Sequence, residues 1–114
     1  MDKLRKYQGI LTQYLSDFAS QPPYANMPDV KTTVLIDLKG NHFQAVDIGW
    51  AGMKYVFSPV FHFDIKDEKI WFQCNNTDRE VIDELVKMGV ENNDIILGFQ
   101  PPYVRSQAKE HVLA

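Results

Sequence analysis

The stretch His62-Phe63-Asp64-Ile65-Lys66-Asp67-Glu68-Lys69-Ile70-Trp71-Phe72-Gln73 decides the fold. Apolar and polar residues alternate on both sides of Asp67-Glu68, the pattern of two strands that share one buried face. With Asp67-Glu68 as a two-residue loop, Lys66 faces Lys69, Ile65 faces Ile70, Phe63 faces Phe72 and Phe61 faces Cys74. These apolar pairs form the buried side. The other side carries His62 opposite Gln73 and Asp64 opposite Trp71. Asp-Glu suits such a loop less well than Asp-Gly, because the second position takes a positive φ. A register shifted by one or two residues is the alternative.

Downstream, Thr77 and Glu80 stand at capping-box spacing and predict a helix over 78–88, with Asp78 and Glu80 near its positive end. Val81, Ile82, Leu85 and Val86 make its apolar stripe. Gly89 sits where a left-handed residue ends a helix, with Val90 placed to touch Leu85. Asp94-Ile95-Ile96-Leu97-Gly98-Phe99 reads as a short buried strand or an extended segment, and Gln100-Pro101-Pro102-Tyr103-Val104-Arg105 as an extended tail.

Upstream, Leu4, Tyr7, Leu11, Tyr14 and Phe18 recur at steps of three and four. They predict a helix over 3–19, widened on its apolar side by Ile10 and Leu15. Gly9 lowers its stability by about 1 kcal/mol against alanine and so marks a candidate close approach. Gln21-Pro22-Pro23 ends it. From Lys31 to Asn75 the period changes to that of strands: Thr32 to Ile36, Phe43 to Trp50 and Tyr55 to Ile65, with turns at Lys39-Gly40-Asn41 and Ala51-Gly52. Ser58-Pro59 interrupts the third strand and calls for an edge or a bulge. Short turns favour an antiparallel meander. The fold class expected is α+β: an N-terminal helix, an antiparallel meander, a second helix on the same face, and an extended C-terminal segment.

A chain of 114 residues with 45% hydrophobic residues makes one domain, 1–114, with a modest core. Fifteen acidic against twelve basic residues leave a net charge of -3, which disfavours general coating of DNA phosphates. One cysteine, Cys74, excludes an intramolecular disulfide and suits a reducing cytoplasm. No apolar run reaches the roughly 20 residues of a membrane helix, so a soluble cytoplasmic protein is expected.

Candidate chemistry is sparse. His62 and Asp64 lie two apart on one strand face, so both could reach one metal ion or one proton. The other histidines are His42 and His111, and no spacing in the chain reads as a metal or cofactor site. The register buries Cys74 away from any base that would activate it. Nucleotide-binding and hydrolase motifs are absent. Gln-Pro-Pro-Tyr occurs at 21–24 and again at 100–103, each suited to strapping an extended segment along the surface. Lys3, Arg5 and Lys6 read as a solvated helix face. Trp71, Tyr103 and Arg105 are of the residue types that dominate interface energetics.

Several spaced segments resemble one family. They are Val46-Asp47-Ile48-Gly49-Trp50, His62-Phe63-Asp64-Ile65-Lys66, Lys69-Ile70-Trp71-Phe72-Gln73, and Asp94-Ile95-Ile96-Leu97-Gly98-Phe99 with Pro102-Tyr103-x-Arg105. In this order they resemble the XisI family, the fdxN element excision controlling factors of cyanobacteria. The chain departs from the family at Cys74-Asn75-Asn76-Thr77-Asp78, where a stretch beginning with histidine is common. The resemblance implies a non-catalytic regulatory factor for excision of a DNA element, acting through a nuclease-like XisH-like partner and a site-specific recombinase. Direct DNA binding as an excisionase-like factor, and a small enzyme using His62 and Asp64, are the alternatives. The partner-binding residues expected are His62, Asp64, Trp71, Gln73, Tyr103 and Arg105. Self-association is expected through the exposed sheet face, where Trp50, Tyr55, Phe57 and Trp71 supply aromatic surface, or through the first helix.

Overall fold

The computed structural model describes residues 2–22 and 24–103. Helix α1 spans Lys3–Ala19, and the side chain of Asp2 caps it by accepting from the Arg5 N–H at 2.8 Å. Strands β1 (Val30–Asp37), β2 (His42–Ala51), β3 (Lys54–Lys66) and β4 (Lys69–Asn75) follow. Helix α2 (Val81–Lys87), a single 3-10 turn at Asn92–Asp94 and strand β5 (Ile95–Leu97) complete the domain. The sheet order is β1-β2-β3-β4-β5.

The first four strands form the expected antiparallel meander. β5 departs from it and pairs parallel to β4, with Ile70 beside Ile95 and Phe72 beside Leu97. The chain leaves β4 through α2, and a helix long enough to return it alongside the same strand delivers it in the same direction.

Tyr7, Leu11, Tyr14 and Leu15 of α1 and Val81 and Leu85 of α2 pack on Phe43, Ala45, Phe61, Phe63, Ile65, Ile70 and Phe72. Both helices therefore cover one face of the sheet. Phe63 and Phe72 stack with centroids 4.7 Å apart, and the edge of Phe18 meets Phe61 at 4.9 Å. Each fully buried large side chain of this cluster removes enough apolar surface to contribute about 1.5–3 kcal/mol.

The sheet carries two bulges, one expected beside Pro59 and one that corrects the hairpin register. In the β2–β3 pair, Ala45 faces Phe61 but Val46 faces Pro59, so Val60 is the additional residue. Proline lacks an N–H, and the bulge beside it satisfies the requirement read from Ser58-Pro59. In the β3–β4 pair, Phe63 faces Phe72 as expected, but His62 faces Cys74 and Phe61 faces Asn75. Gln73 is the additional residue there, so neither the Phe61–Cys74 nor the His62–Gln73 pairing forms. The turn constrains only the rungs near it. Asp67 and Glu68 both adopt positive φ, 52° and 61°, so Asp-Glu does host the two-residue loop.

Helix α2 begins at Val81, three residues later than its capping-box pattern implied, and its N-cap Glu80 makes no side-chain cap bond. Thr77 is held elsewhere: its N–H and its hydroxyl both donate to Asn75 Oδ1, and its Oγ1 accepts from the Arg79 N–H. That local turn competes with the helix for the same groups and wins. The C-terminal end follows the sequence. Gly89 has φ +115°, its N–H donates to the Val86 carbonyl, and the Val90 N–H donates to the Leu85 carbonyl. Gly9 is exposed with open space around it, so it marks no close approach. Pro102 and Tyr103 have helical rather than extended backbone. Arg105 and His111 lie outside the described residues.

Candidate functional site

The face of the sheet that the helices leave bare carries a connected polar cluster. Alternation along β3 turns Phe61, Phe63 and Ile65 into the core and His62 and Asp64 outward. The β2–β3 register sets His42 directly opposite Asp64 and Gln44 opposite His62. Asp64 Oδ1 accepts from His42 Nδ1 at 2.6 Å and from His62 Nε2 at 2.8 Å. Gln44 Nε2 stands 3.2 Å from His62 Nδ1. Gln73, freed from pairing by the β4 bulge, donates its amide to Asp64 Oδ2 at 3.3 Å.

The cluster is graded in burial. Side-chain exposure is 13% for Asp64, 25% for His62 and 55% for His42. Burial by itself would raise the Asp64 pKa. Hydrogen bonds from His42 and His62, the charge of His62 and the Gln73 amide outweigh it and hold the carboxyl below its usual range. Asp64 is thus an ionised acceptor at neutral pH, with two imidazoles converging on one of its oxygens.

Trp71 faces Asp64 across the hairpin, half-buried, with Lys66 Nζ 5.1 Å from its ring centroid. Of the residues expected to bind a partner, His62, Asp64, Trp71 and Gln73 therefore share one surface. Tyr103 is exposed at the end of the described chain, past β5. Cys74 is half-buried rather than buried, and burial pushes its thiol pKa up, away from nucleophilic character.

Sequence spacing missed His42. It lies twenty-two residues from Asp64, and only the antiparallel register of β2 on β3 brings the two together. Three groups able to ligate a metal ion, His42, His62 and Asp64, place their ligand atoms within 4.8 Å of one another. His42 thus joins the His62–Asp64 pair already read as able to reach one metal ion or one proton.

Further along the same hairpin lies an aromatic surface. Trp50, Tyr55 and Phe57 are 55%, 51% and 66% exposed, and the Trp50 and Tyr55 rings lie 5.1 Å apart. Two other family-like segments turn out to be structural. Asp47 accepts from Thr32 Oγ1 at 2.6 Å and from Tyr24 OH at 3.1 Å, which ties Tyr24, at the end of the first Gln-Pro-Pro-Tyr copy, to the sheet. Asp94 is buried and accepts from Tyr7 OH, with Lys3 Nζ at 3.0 Å and Lys69 Nζ at 3.7 Å. Lys3 is therefore ion-paired to buried Asp94 while staying partly exposed, and Arg5 and Lys6 are exposed as expected.

No helix among the described residues is long and apolar enough to cross a membrane. A search of proteins with curated descriptions finds no match to the chain. Among solved structures, a XisI-like protein from Anabaena variabilis is 43% identical, with a TM-score of 0.82, over 91% of this chain and 94% of that one. The fdxN element excision controlling factor XisI from Anabaena variabilis is 26% identical, with a TM-score of 0.77, over 95% of this chain and 96% of its own. The family model for XisI protein matches residues 1–111. With 111 of its 114 residues matched by that model and its fold shared with both solved relatives, this chain belongs to the XisI family.

Proposed function

We propose that this protein is a non-catalytic accessory factor in the site-specific excision of a DNA element. In this reading it works by binding a XisH-like, nuclease-like protein through the outer face of its sheet. The observation that carries the proposal is the combination, on the sheet face opposite the helices, of the His42–His62–Asp64 cluster, Trp71 and the exposed aromatics of the β2–β3 hairpin. Large aromatic side chains beside directed polar groups are where protein interfaces concentrate their energy. A contiguous apolar surface of this kind is uncommon on a chain that meets only water. The net charge of -3 favours a protein over DNA phosphates as the direct contact. The solved relative described as an excision controlling factor supplies the setting.

The test is binding of the full chain to a purified XisH-like protein across a salt series. Binding should weaken little with salt, because a contact anchored by Trp71 is largely apolar, whereas phosphate binding falls steeply. Trp71→Ala should weaken it by about tenfold or more, as truncation of a central interface aromatic does. Arg105→Ala should weaken it to a smaller degree. Unchanged binding in both variants would remove this face from the interface, and steep salt dependence with duplex DNA alone would favour direct DNA contact instead.

A further inference from the structure

We propose that His42, His62 and Asp64 form a binding site for a divalent transition-metal ion of the zinc class on the outer face of the sheet. His42 Nδ1 and His62 Nε2 both meet Asp64 Oδ1, and one ligand atom from each of the three residues lies within 4.8 Å of the others. Imidazole nitrogen with one carboxylate oxygen is a donor set that zinc and its neighbours accept, with remaining positions open to water. The site goes beyond partner binding and does not depend on it.

The geometry is close to what an ion requires. Two metal–ligand bonds of about 2.0–2.1 Å at a tetrahedral angle hold their donor atoms roughly 3.3 Å apart. The Asp64 oxygen lies 2.6 Å from His42 Nδ1 and 2.8 Å from His62 Nε2. His62 Nε2 therefore has to draw back by roughly 0.5 Å and His42 Nδ1 by roughly 0.7 Å. His42 is more than half exposed, so it can do so by rotating its own side chain. A shallow depression bordered by Ile36, Asp37, Gln44 and the two histidines gives access from solvent.

Two further contacts set this group apart from a chance polar cluster. Gln73 holds the second oxygen of Asp64, which leaves Oδ1 aimed at the histidines. Gly98 makes that possible, since a Cβ there would collide with Gln73 Oε1. Gln44 meets the other nitrogen of the His62 ring. The two ends of an amide are exchangeable at the same heavy-atom positions. With its oxygen toward the ring, Gln44 accepts the Nδ1 proton and leaves the Nε2 lone pair to the ion. Such outer support of an imidazole and a carboxylate is characteristic of metal sites. One carboxylate and two neutral imidazoles leave a single positive charge, a modest load for a chain of net charge -3.

The experiment titrates the chelator-stripped full chain with Co2+, followed by visible absorption, and then displaces it with Zn2+ under calorimetry. Saturation at one ion per chain is expected, with cobalt bands that vanish as zinc binds. His42→Ala, at an exposed position where the fold is retained by circular dichroism, should lose about a hundredfold in affinity or more. Gln44→Ala should lose about tenfold, and His111→Ala should lose nothing. Absence of saturable binding overturns the site. So does binding that survives both His42→Ala and His62→Gln, or that disappears with His111→Ala.

Discussion

Asp94 shows how one side chain can hold a small domain together. Its burial would raise the carboxyl's pKa, but hydrogen bonds from Tyr7 and Lys3 and the charges of Lys3 and Lys69 outweigh that and lower it. A carboxyl depressed on folding adds stability that is fully present above its unfolded pKa, near 4, and is lost as pH falls through the folded value. Asp94→Asn should therefore cost about 2 kcal/mol at neutral pH, the scale of hydrogen bonds to a charged group. Its stability should also fall less on acidification below about pH 4 than the parent's. Urea denaturation at neutral pH and along the acid limb measures both, and an unchanged acid limb would show that another carboxylate governs it. Gly49 makes a second prediction. Its φ is +148°, and a Cβ would run into the Asp29 carbonyl oxygen and the Val30 backbone. Backbone has nowhere to yield in a paired strand, so Gly49→Ala should cost about 3 kcal/mol, read as a lowered melting temperature.

Among the elements, α2 separates two accounts of its own start. A working capping box would make Glu80→Ala and Thr77→Ala similarly harmful, each by about 1 kcal/mol. Glu80 instead makes no side-chain cap bond, and Asn75 Oδ1 gathers the Thr77 N–H and hydroxyl. Glu80→Ala should therefore stay within about 0.5 kcal/mol of the parent. Asn75→Ala should lose about 1 kcal/mol by stranding two donors. Chemical denaturation of the two variants decides between the accounts, and the reverse order of effects would restore the capping box. The other end of the helix was legible because a Gly at that position admits few alternatives. A side-chain hydroxyl at the start has several backbone partners within reach, and residue spacing does not choose among them.

At the scale of the whole molecule, the β2–β3 hairpin reaches past its neighbours. β4 pairs with β3 only between residues 61 and 66, so among the described strands residues 54–59 pair with β2 alone. Apart from the Pro59 carbonyl, which accepts from Asn76 Nδ2, that edge has no further strand beside it among the described residues, and it adjoins exposed Trp50, Tyr55 and Phe57. An unpaired edge beside apolar surface is a template for association. We expect the chain to self-associate through this hairpin, with Phe57→Ser shifting it toward monomer while the core, which Phe57 does not join, stays folded. Sedimentation over a concentration series tests this. A parent that is monomeric at high micromolar concentration would count the surface as available to other partners only.

The sequence by itself determined the α+β class, the N-terminal helix, the hairpin turn and the end of the second helix. Each rests on periodicity or on a residue with few conformational choices: the three-four seam from Leu4 to Phe18, the alternation around Asp67-Glu68, and Gly89. Proline at 59 announced an edge or a bulge in the third strand, but only the tertiary structure decided the bulge at Gln73, because the register far from a turn is set by packing across several strands at once. The direction of β5 was decided there too, since Ile95-Ile96-Leu97 reads the same in a parallel or an antiparallel ladder. The same cause hid His42. His62 and Asp64 declare their shared face by a period of two, but the third member of their cluster comes from another strand. What joins it to them is a hydrogen-bonded ladder between β2 and β3 that no local pattern encodes.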